Sequence, residues 1–165
     1  MSHFLLERTQ YLPISLNEAW DFFSSPHNLE KITPPGMGFE VISDSKTQII
    51  YAGQIITYYI RPILNIKLFW MTEITHVAEK KYFVDEQRFG PYVFWHHTHF
   101  FKEVPGGVEM RDQVHYKLPF GFLGDIVHRL MVRKQLHGIF DFRYQFLEKH
   151  FGKFGPHLNL SINQA

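Results

Sequence analysis

The chain of 165 residues contains no cysteine, which excludes disulfides, thiolate metal sites and a cysteine nucleophile. Net charge is nearly absent as well, because seventeen Lys and Arg meet sixteen Asp and Glu to leave +1. Without a strong field to steer the chain onto polyphosphate, nucleic acid is not expected as a partner. Long apolar runs are missing: Glu7 and Arg8 come before any stretch of signal-peptide length, and the run around Ile49 to Ile60 is interrupted by Gln54. Neither a leader nor a transmembrane segment is therefore expected, and the reading is a soluble, cytoplasmic protein. Gly-rich phosphate loops and a nucleophilic-serine motif are also lacking, so no cofactor is expected.

Aromatic side chains are what the chain has in excess. Seventeen Phe, eight Tyr and three Trp make up 17% of it. Rings in that number fill a core, and they also line a cavity. The length fits one domain, expected over residues 1–151, with a loosely held tail over 152–165 that carries few anchors.

The order of elements is legible. Residues 4–12 read as a strand ended by Pro13. Ser15 and Glu18 have capping-box spacing, which predicts a helix over 16–23. Ser25-Pro26 starts a second short helix that Thr33-Pro34-Pro35-Gly36 stops near Ile32. From Phe39 to Leu118 the pattern is β, with strands expected near 39–43, 48–60, 66–77, 81–88, 92–104 and 108–118. Their separators are Asp44-Ser45-Lys46, Arg61-Pro62, Glu79-Lys80, Gly90-Pro91 and Pro105-Gly106-Gly107, short enough for an antiparallel meander. Roughly 26 residues from Asp125 to His150 then read as one helix about 40 Å long. Its apolar residues form no clean stripe, and Gly138 in its middle predicts a bend or a close contact. Arg129, Arg133, Lys134 and Arg143 read as its solvated face, with Arg133 or Arg143 also placed to cap an anionic ligand at a cavity mouth.

This order resembles the helix-grip superfamily of START domains, birch-pollen-allergen-like proteins and the polyketide cyclase/dehydrase group, abbreviated SRPBCC. The resemblance covers about residues 3–151. The segments DEQRFGPYVFWHHTHFF (85–101) and DQVHYKLPFGFLG (112–124) are similar to a bacterial subgroup of uncharacterised ligand-binding members. Matching positions are Gly90, Pro91, Trp95, His97, His99, Phe101, Asp112, Val114, Tyr116, Leu118, Pro119, Phe120 and Gly121, with His96 in a variable slot. The resemblance implies an α+β fold in which a curved, antiparallel, seven-stranded sheet wraps a long C-terminal helix around a cavity for an apolar or amphipathic small molecule. It supplies no reaction.

Side-chain alternation gives the candidate site. On the last strand Glu109, Arg111, Gln113, His115 and Lys117 form a solvated face, and Met110, Val114, Tyr116 and Leu118 an inner one. Asp112 interrupts the inner face, and a buried carboxylate needs a partner. A two- or four-residue loop at Pro105-Gly106-Gly107 places Trp95, His97, His99 and Phe101 on its side, with His99 opposite or one step away. A three-residue loop selects His96, Thr98 and Phe100 instead. The turn alone leaves both open; the resemblance and the need of Asp112 for a donor favour the first. Asp85 and Gln87 are a second polar pair that points inward or, equally, forms a rim or a strand-end hydrogen bond, and Tyr59, Trp70 and Tyr116 are expected in the wall.

Three readings of these residues stand side by side. In the first, the protein is a carrier or sensor whose ligand is oriented by Asp85, Gln87, His97, His99 and Asp112. In the second, it is a cyclase, dehydratase or hydrolase in which Asp112 fixes His99 as base and His97 serves as acid. In the third, it is an interaction module whose own side chains fill the interior. His97-x-His99 with Asp112 also has the residue types of a metal site, but a hydrogen-bonded network is the reading taken, and no metal is expected.

Overall fold

The computed structural model describes residues 2–43, 49–61 and 66–155. The turn Asp44-Ser45-Lys46, the first residue of the strand expected from 48, Pro62 and the tail from 156 onward lie outside the described residues. Strand β1 (Phe4–Leu12) is followed by helices α1 (Leu16–Phe23) and α2 (Pro26–Leu29), and a 3-10 turn (Pro35–Met37). Strands β2 (Glu40–Val41), β3 (Gln54–Ile60), β4 (Leu68–Ala78), β5 (Tyr82–Phe89), β6 (Phe94–Val104) and β7 (Gly107–Lys117) come next. They are followed by α3 (Phe122–Val127), a π-helical turn (His128–Val132) and α4 (Arg133–Phe151). All seven strands form one antiparallel sheet in the order β1-β7-β6-β5-β4-β3-β2. This is the expected α+β helix-grip arrangement.

Local chemistry explains the elements. Ser15 Oγ accepts from the Glu18 amide at 3.2 Å while Glu18 Oε2 accepts from the Ser15 amide at 2.9 Å, so the capping box closes both ways. Helix α2 begins at Pro26 as its fixed φ favours, but it stops at Leu29, earlier than expected near Ile32. Residues 30–33 continue as turns before Pro34, which disfavours a helical residue ahead of it. Register shifts between Met71 and Thr72 and between Ile74 and His76 mark irregularities in β4, the kind of defect that bends a sheet.

At the β6–β7 turn Val104 pairs with Gly107. The loop is thus Pro105-Gly106, with Gly106 at φ 87°, a conformation that favours glycine. Gly107 has a separate reason to be glycine, since a Cβ there would collide with the Leu12 backbone carbonyl. The two-residue loop selects the odd-numbered register, and His99 stands directly opposite Asp112.

The C-terminal helix departs most from expectation. Gly138 lies in regular helix with nothing near its missing side chain, and the irregularity falls instead at His128–Val132. There His128 turns inward, stacks on Phe4 and bonds to Tyr116 Oη at 2.8 Å. The buried stripe of the helix is Val132, Leu136, Phe140, Arg143 and Leu147, spaced by four, four, three and four residues. An arginine holds an inner position, which corrects its assignment to the solvated face. The apolar residues Leu123, Ile126, Val127 and Leu130 are exposed, Leu130 at 78%.

Two clusters form the core. The larger packs α1 and the end of α4 on the sheet through Trp20, Phe23, Phe83, Phe101 and Leu147. The smaller joins Leu6, Val114 and Tyr116 to Val132, Leu136 and Phe140. Among the described residues, no helix is long and apolar enough to cross a membrane.

Candidate functional site

Between sheet, α1–α2 and α4 lies a cavity of about 230 Å³. Its lining is mainly apolar and aromatic, with Ile56, Tyr58, Trp70, Trp95, Ile139 and Phe140 among the walls. Ser25, Asn28, Thr33 and Gln135 add polar groups from outside the sheet, and the polar groups of the sheet enter it at two places.

The first is on β3 and β4. Tyr58 and Trp70 point inward because they share parity with Ile56, Ile60, Thr72 and Ile74, all buried. Thr72 Oγ1 accepts the Trp70 indole N–H at 2.9 Å and lies 3.2 Å from Tyr58 Oη. No charge is involved, and burial pushes the Tyr58 phenol far above its ordinary pKa.

The second is ionic. Asp85 on β5, His97 and His99 on β6, and Arg143 on α4 reach the cavity, with Asp112 of β7 just behind them. His97, His99, Asp112 and Arg143 are 4%, 7%, 5% and 7% exposed, so each must be satisfied by the others. His97 Nε2 is 2.8 Å from Asp112 Oδ1, and its Nδ1 is 3.3 Å from Asp85 Oδ2. His99 Nε2 is 2.9 Å from Asp85 Oδ2, and its Nδ1 is 3.0 Å from Asp112 Oδ1. The last contact is short but poorly aligned for a hydrogen bond. Arg143 Nη1 donates to Asp112 Oδ1 at 3.2 Å, and the Trp95 indole N–H to Asp85 Oδ1 at 3.3 Å. The two imidazoles thus lie between two carboxylates, their ring centres 3.7 Å apart.

The electrostatics follow from this packing. Burial alone would raise the Asp112 carboxyl, but Arg143, His97 and His99 outweigh it and hold the group well below its ordinary pKa. Asp85 is held below its ordinary value against burial by His97 and His99, helped by the Trp95 N–H. Burial, reinforced by the charge of His99, lowers His97. Burial acts on His99 in the same sense, but Asp112 and Asp85 outweigh it and raise its pKa.

Of the expected site residues, Trp70, Asp85, Trp95, His97 and His99 line the cavity. Four others stand elsewhere. Asp112 supports the histidines from behind, and its aligned hydrogen bond goes to His97, not to His99 as expected. Tyr116 is buried on the inner face but is engaged by His128 outside the cavity lining. Gln87 braces the β5–β6 turn, accepting from the Tyr92 amide at 3.1 Å and donating to the Tyr92 carbonyl at 2.6 Å. Tyr59 is a correction: strand parity sends it to the opposite face, where Lys67 lies 3.9 Å over its ring, and Tyr58 holds the inner place. His96 also faces outward and meets Glu86 at 2.8 Å. Tyr58 and Thr72 are site residues the sequence reading missed, and Arg143, placed there on the solvated face or at the cavity mouth, is instead the buried partner of Asp112. The signal for Arg143 was its spacing from Phe140 and Leu147, and for Tyr58 its parity with Ile56.

Neither a scan against protein-family models nor a search of curated proteins finds a match to this chain. Solved structures do match in fold. Protein Ms6760 from Mycobacterium smegmatis is 18% identical with a TM-score of 0.63, the match covering 88% of this chain and 92% of that one. Ginseng major latex-like protein 151 from Panax ginseng is 11% identical, with a TM-score of 0.65 over 90% of this chain and 97% of that one. A START superfamily protein from Mycobacterium smegmatis is 11% identical, with a TM-score of 0.64 over 91% and 97%. Their likeness to this chain lies in the fold, and together with the strand order and the long C-terminal helix it shows that the chain has the START-like helix-grip fold.

Proposed function

We propose that the protein is a cytoplasmic carrier or sensor that encloses a small apolar or amphipathic molecule of lipid, polyketide or aromatic type. The observation that carries this reading is the cavity of about 230 Å³, walled by aromatic and aliphatic side chains and interrupted by the polar corner of Asp85, His97 and His99. A mostly apolar pocket with a few convergent polar groups is the usual form of a small-molecule site. Its volume lies a little below the range of about 300–1,000 Å³ common for drug-sized ligands, which favours a compact molecule. In this reading the apolar body packs on Trp70, Ile56 and Phe140, and an oxygen or nitrogen of the ligand meets His97 or His99.

Native mass spectrometry of gently purified protein, with uptake of an environment-sensitive apolar dye, tests the reading. A bound small molecule or dye uptake by the wild type is expected. Ile139→Trp fills the cavity from α4 and is expected to abolish uptake while the fold persists by circular dichroism. A wild type that carries nothing and takes up no dye, or a variant that binds as well as the wild type, sinks it.

An acid/base enzyme of the cyclase, dehydratase or hydrolase type is the second reading, and the two buried histidines beside the cavity favour it. Its base would be His99 oriented by Asp85, to which it is hydrogen-bonded at 2.9 Å, with His97 held by Asp112 as acid. Asp85→Asn would then abolish turnover of any substrate found while leaving its binding.

A further inference from the structure

We propose that Asp85, His97 and His99 form a binding site for a divalent transition-metal ion, with Asp112 orienting both imidazoles from behind. The ligand atoms are Asp85 Oδ2, His97 Nδ1 and His99 Nε2. The oxygen lies 3.3 Å from the first nitrogen and 2.9 Å from the second, and a ligand set from these three residues fits within 4.8 Å. Ligands held tetrahedrally by bonds of 2.0–2.1 Å stand about 3.3 Å from one another. The spacing is therefore near that of a three-ligand site.

Hydrogen-bond accounting points the same way. All four ring nitrogens face a carboxylate oxygen within 3.3 Å, but two neutral imidazoles have only two N–H groups between them. Two nitrogens then set lone pairs against carboxylate lone pairs. Asp112 is the deeper carboxylate and is fixed by Arg143, so with an ion in place it takes the N–H of His97 Nε2 and of His99 Nδ1, and His99 Nε2 exchanges its hydrogen bond to Asp85 for the ion. For the buried His99 Nδ1, which has no aligned hydrogen bond, Asp112 is at 3.0 Å. That leaves lone pairs on His97 Nδ1, His99 Nε2 and Asp85 Oδ2, with the oxygen within 3.3 Å of both nitrogens. A cation there satisfies all three at once, and imidazoles that give their other N–H to a carboxylate are the rule among metal-bound histidines.

Charge and access agree. Asp85 and Asp112 against Arg143 leave one negative charge, which an ion of charge +2 more than offsets. Two nitrogens and one oxygen suit zinc, iron(II), cobalt(II) or nickel(II) better than magnesium or calcium, which take oxygen ligands. Phe83 stacks on His99 with ring centres 4.1 Å apart and Trp95 flanks His97, while the three ligands line the cavity. The open coordination position thus faces the cavity, where water or an oxygen-bearing ligand would complete it.

Cobalt(II) is the probe. Untagged protein is stripped with chelator and titrated with cobalt(II), and the visible d–d bands are followed together with the metal content. One ion per chain, bands of a low-coordinate site and displacement by zinc are expected. Asp85→Asn and His99→Gln should lose the bands, Asp112→Asn should keep them with affinity weakened about 10–100-fold, and His96→Gln should bind as the wild type does. A wild type that takes up no cobalt or zinc overturns the proposal, as does uptake that Asp85→Asn and His99→Gln leave unchanged. Should those variants fail to fold, X-ray absorption of zinc-loaded wild type decides: two imidazoles in the ligand shell support the site, and any other number overturns it.

Discussion

On the β3–β4 wall of the cavity, Tyr58, Trp70 and Thr72 satisfy one another without a charge. On the β5–β7 wall, Asp85, His97, His99 and Asp112 carry or share charge and depend on Arg143 from the opposite layer. Both walls bury polar groups, but the penalties differ in kind. A lost neutral partner leaves one unpaired donor or hydroxyl, whereas a lost charge leaves its counter-charge stranded in the interior. The neutral wall tolerates piecemeal change, and the charged wall acts as a unit. An occupant of the cavity would meet a neutral surface on one side and the ionic set on the other.

That contrast is broken or sharpened by substitution. The largest effect is expected from Arg143→Met, which strands Asp112 and should destabilise the fold by about 3–5 kcal/mol in urea denaturation. A loss within about 1 kcal/mol, the range of an exposed pair, would place the ionic wall on the same footing as the surface. Next is Thr72→Val, which removes the acceptor for Trp70 and the partner of Tyr58. A loss of about 1–3 kcal/mol is expected, with a change in tryptophan fluorescence that Arg143→Met does not produce through the same indole. Gln87→Leu comes third. It removes both bonds to the Tyr92 backbone, and hydrogen exchange at the β5–β6 turn should accelerate while global stability falls by about 1 kcal/mol for each net hydrogen bond lost. The smallest effect belongs to His96→Gln on the outer face, within about 1 kcal/mol because its pairing with Glu86 is partly solvated. If His96→Gln matched Arg143→Met, the distinction between inner and outer histidines would fail.

Much of the fold was legible. Ser15 and Glu18 marked a helix start, and alternation on β7 marked Asp112 as a buried carboxylate in need of partners. The charged wall was partly legible for the same reason, because His97, His99 and Asp112 share a parity that only an even-length hairpin loop joins. Asp85 takes the inward alternative and Gln87 the strand-end one, a choice that alternation leaves open because it gives a facing but not the turn backbone that a side chain reaches. Tyr59 was misplaced because two adjacent tyrosines look alike until the strand is anchored by Ile56 and Ile60. The pairing of Arg143 with Asp112 was missed because an arginine on a helix is usually solvated, and the carboxylate that draws it inward lies 31 residues away in the chain.

The sequence by itself determined the elements, their antiparallel order and the pairing of polar with apolar positions along each strand, all of which depend on periodicity and on contacts a few residues long. Only the tertiary structure decided which nitrogen faces which carboxylate, that Asp112 stands behind the histidines rather than in the cavity, and that Arg143 closes the set. Those outcomes rest on distances of about 3 Å between four separate elements, since hydrogen bonds act over that range. No pattern within one element can specify them.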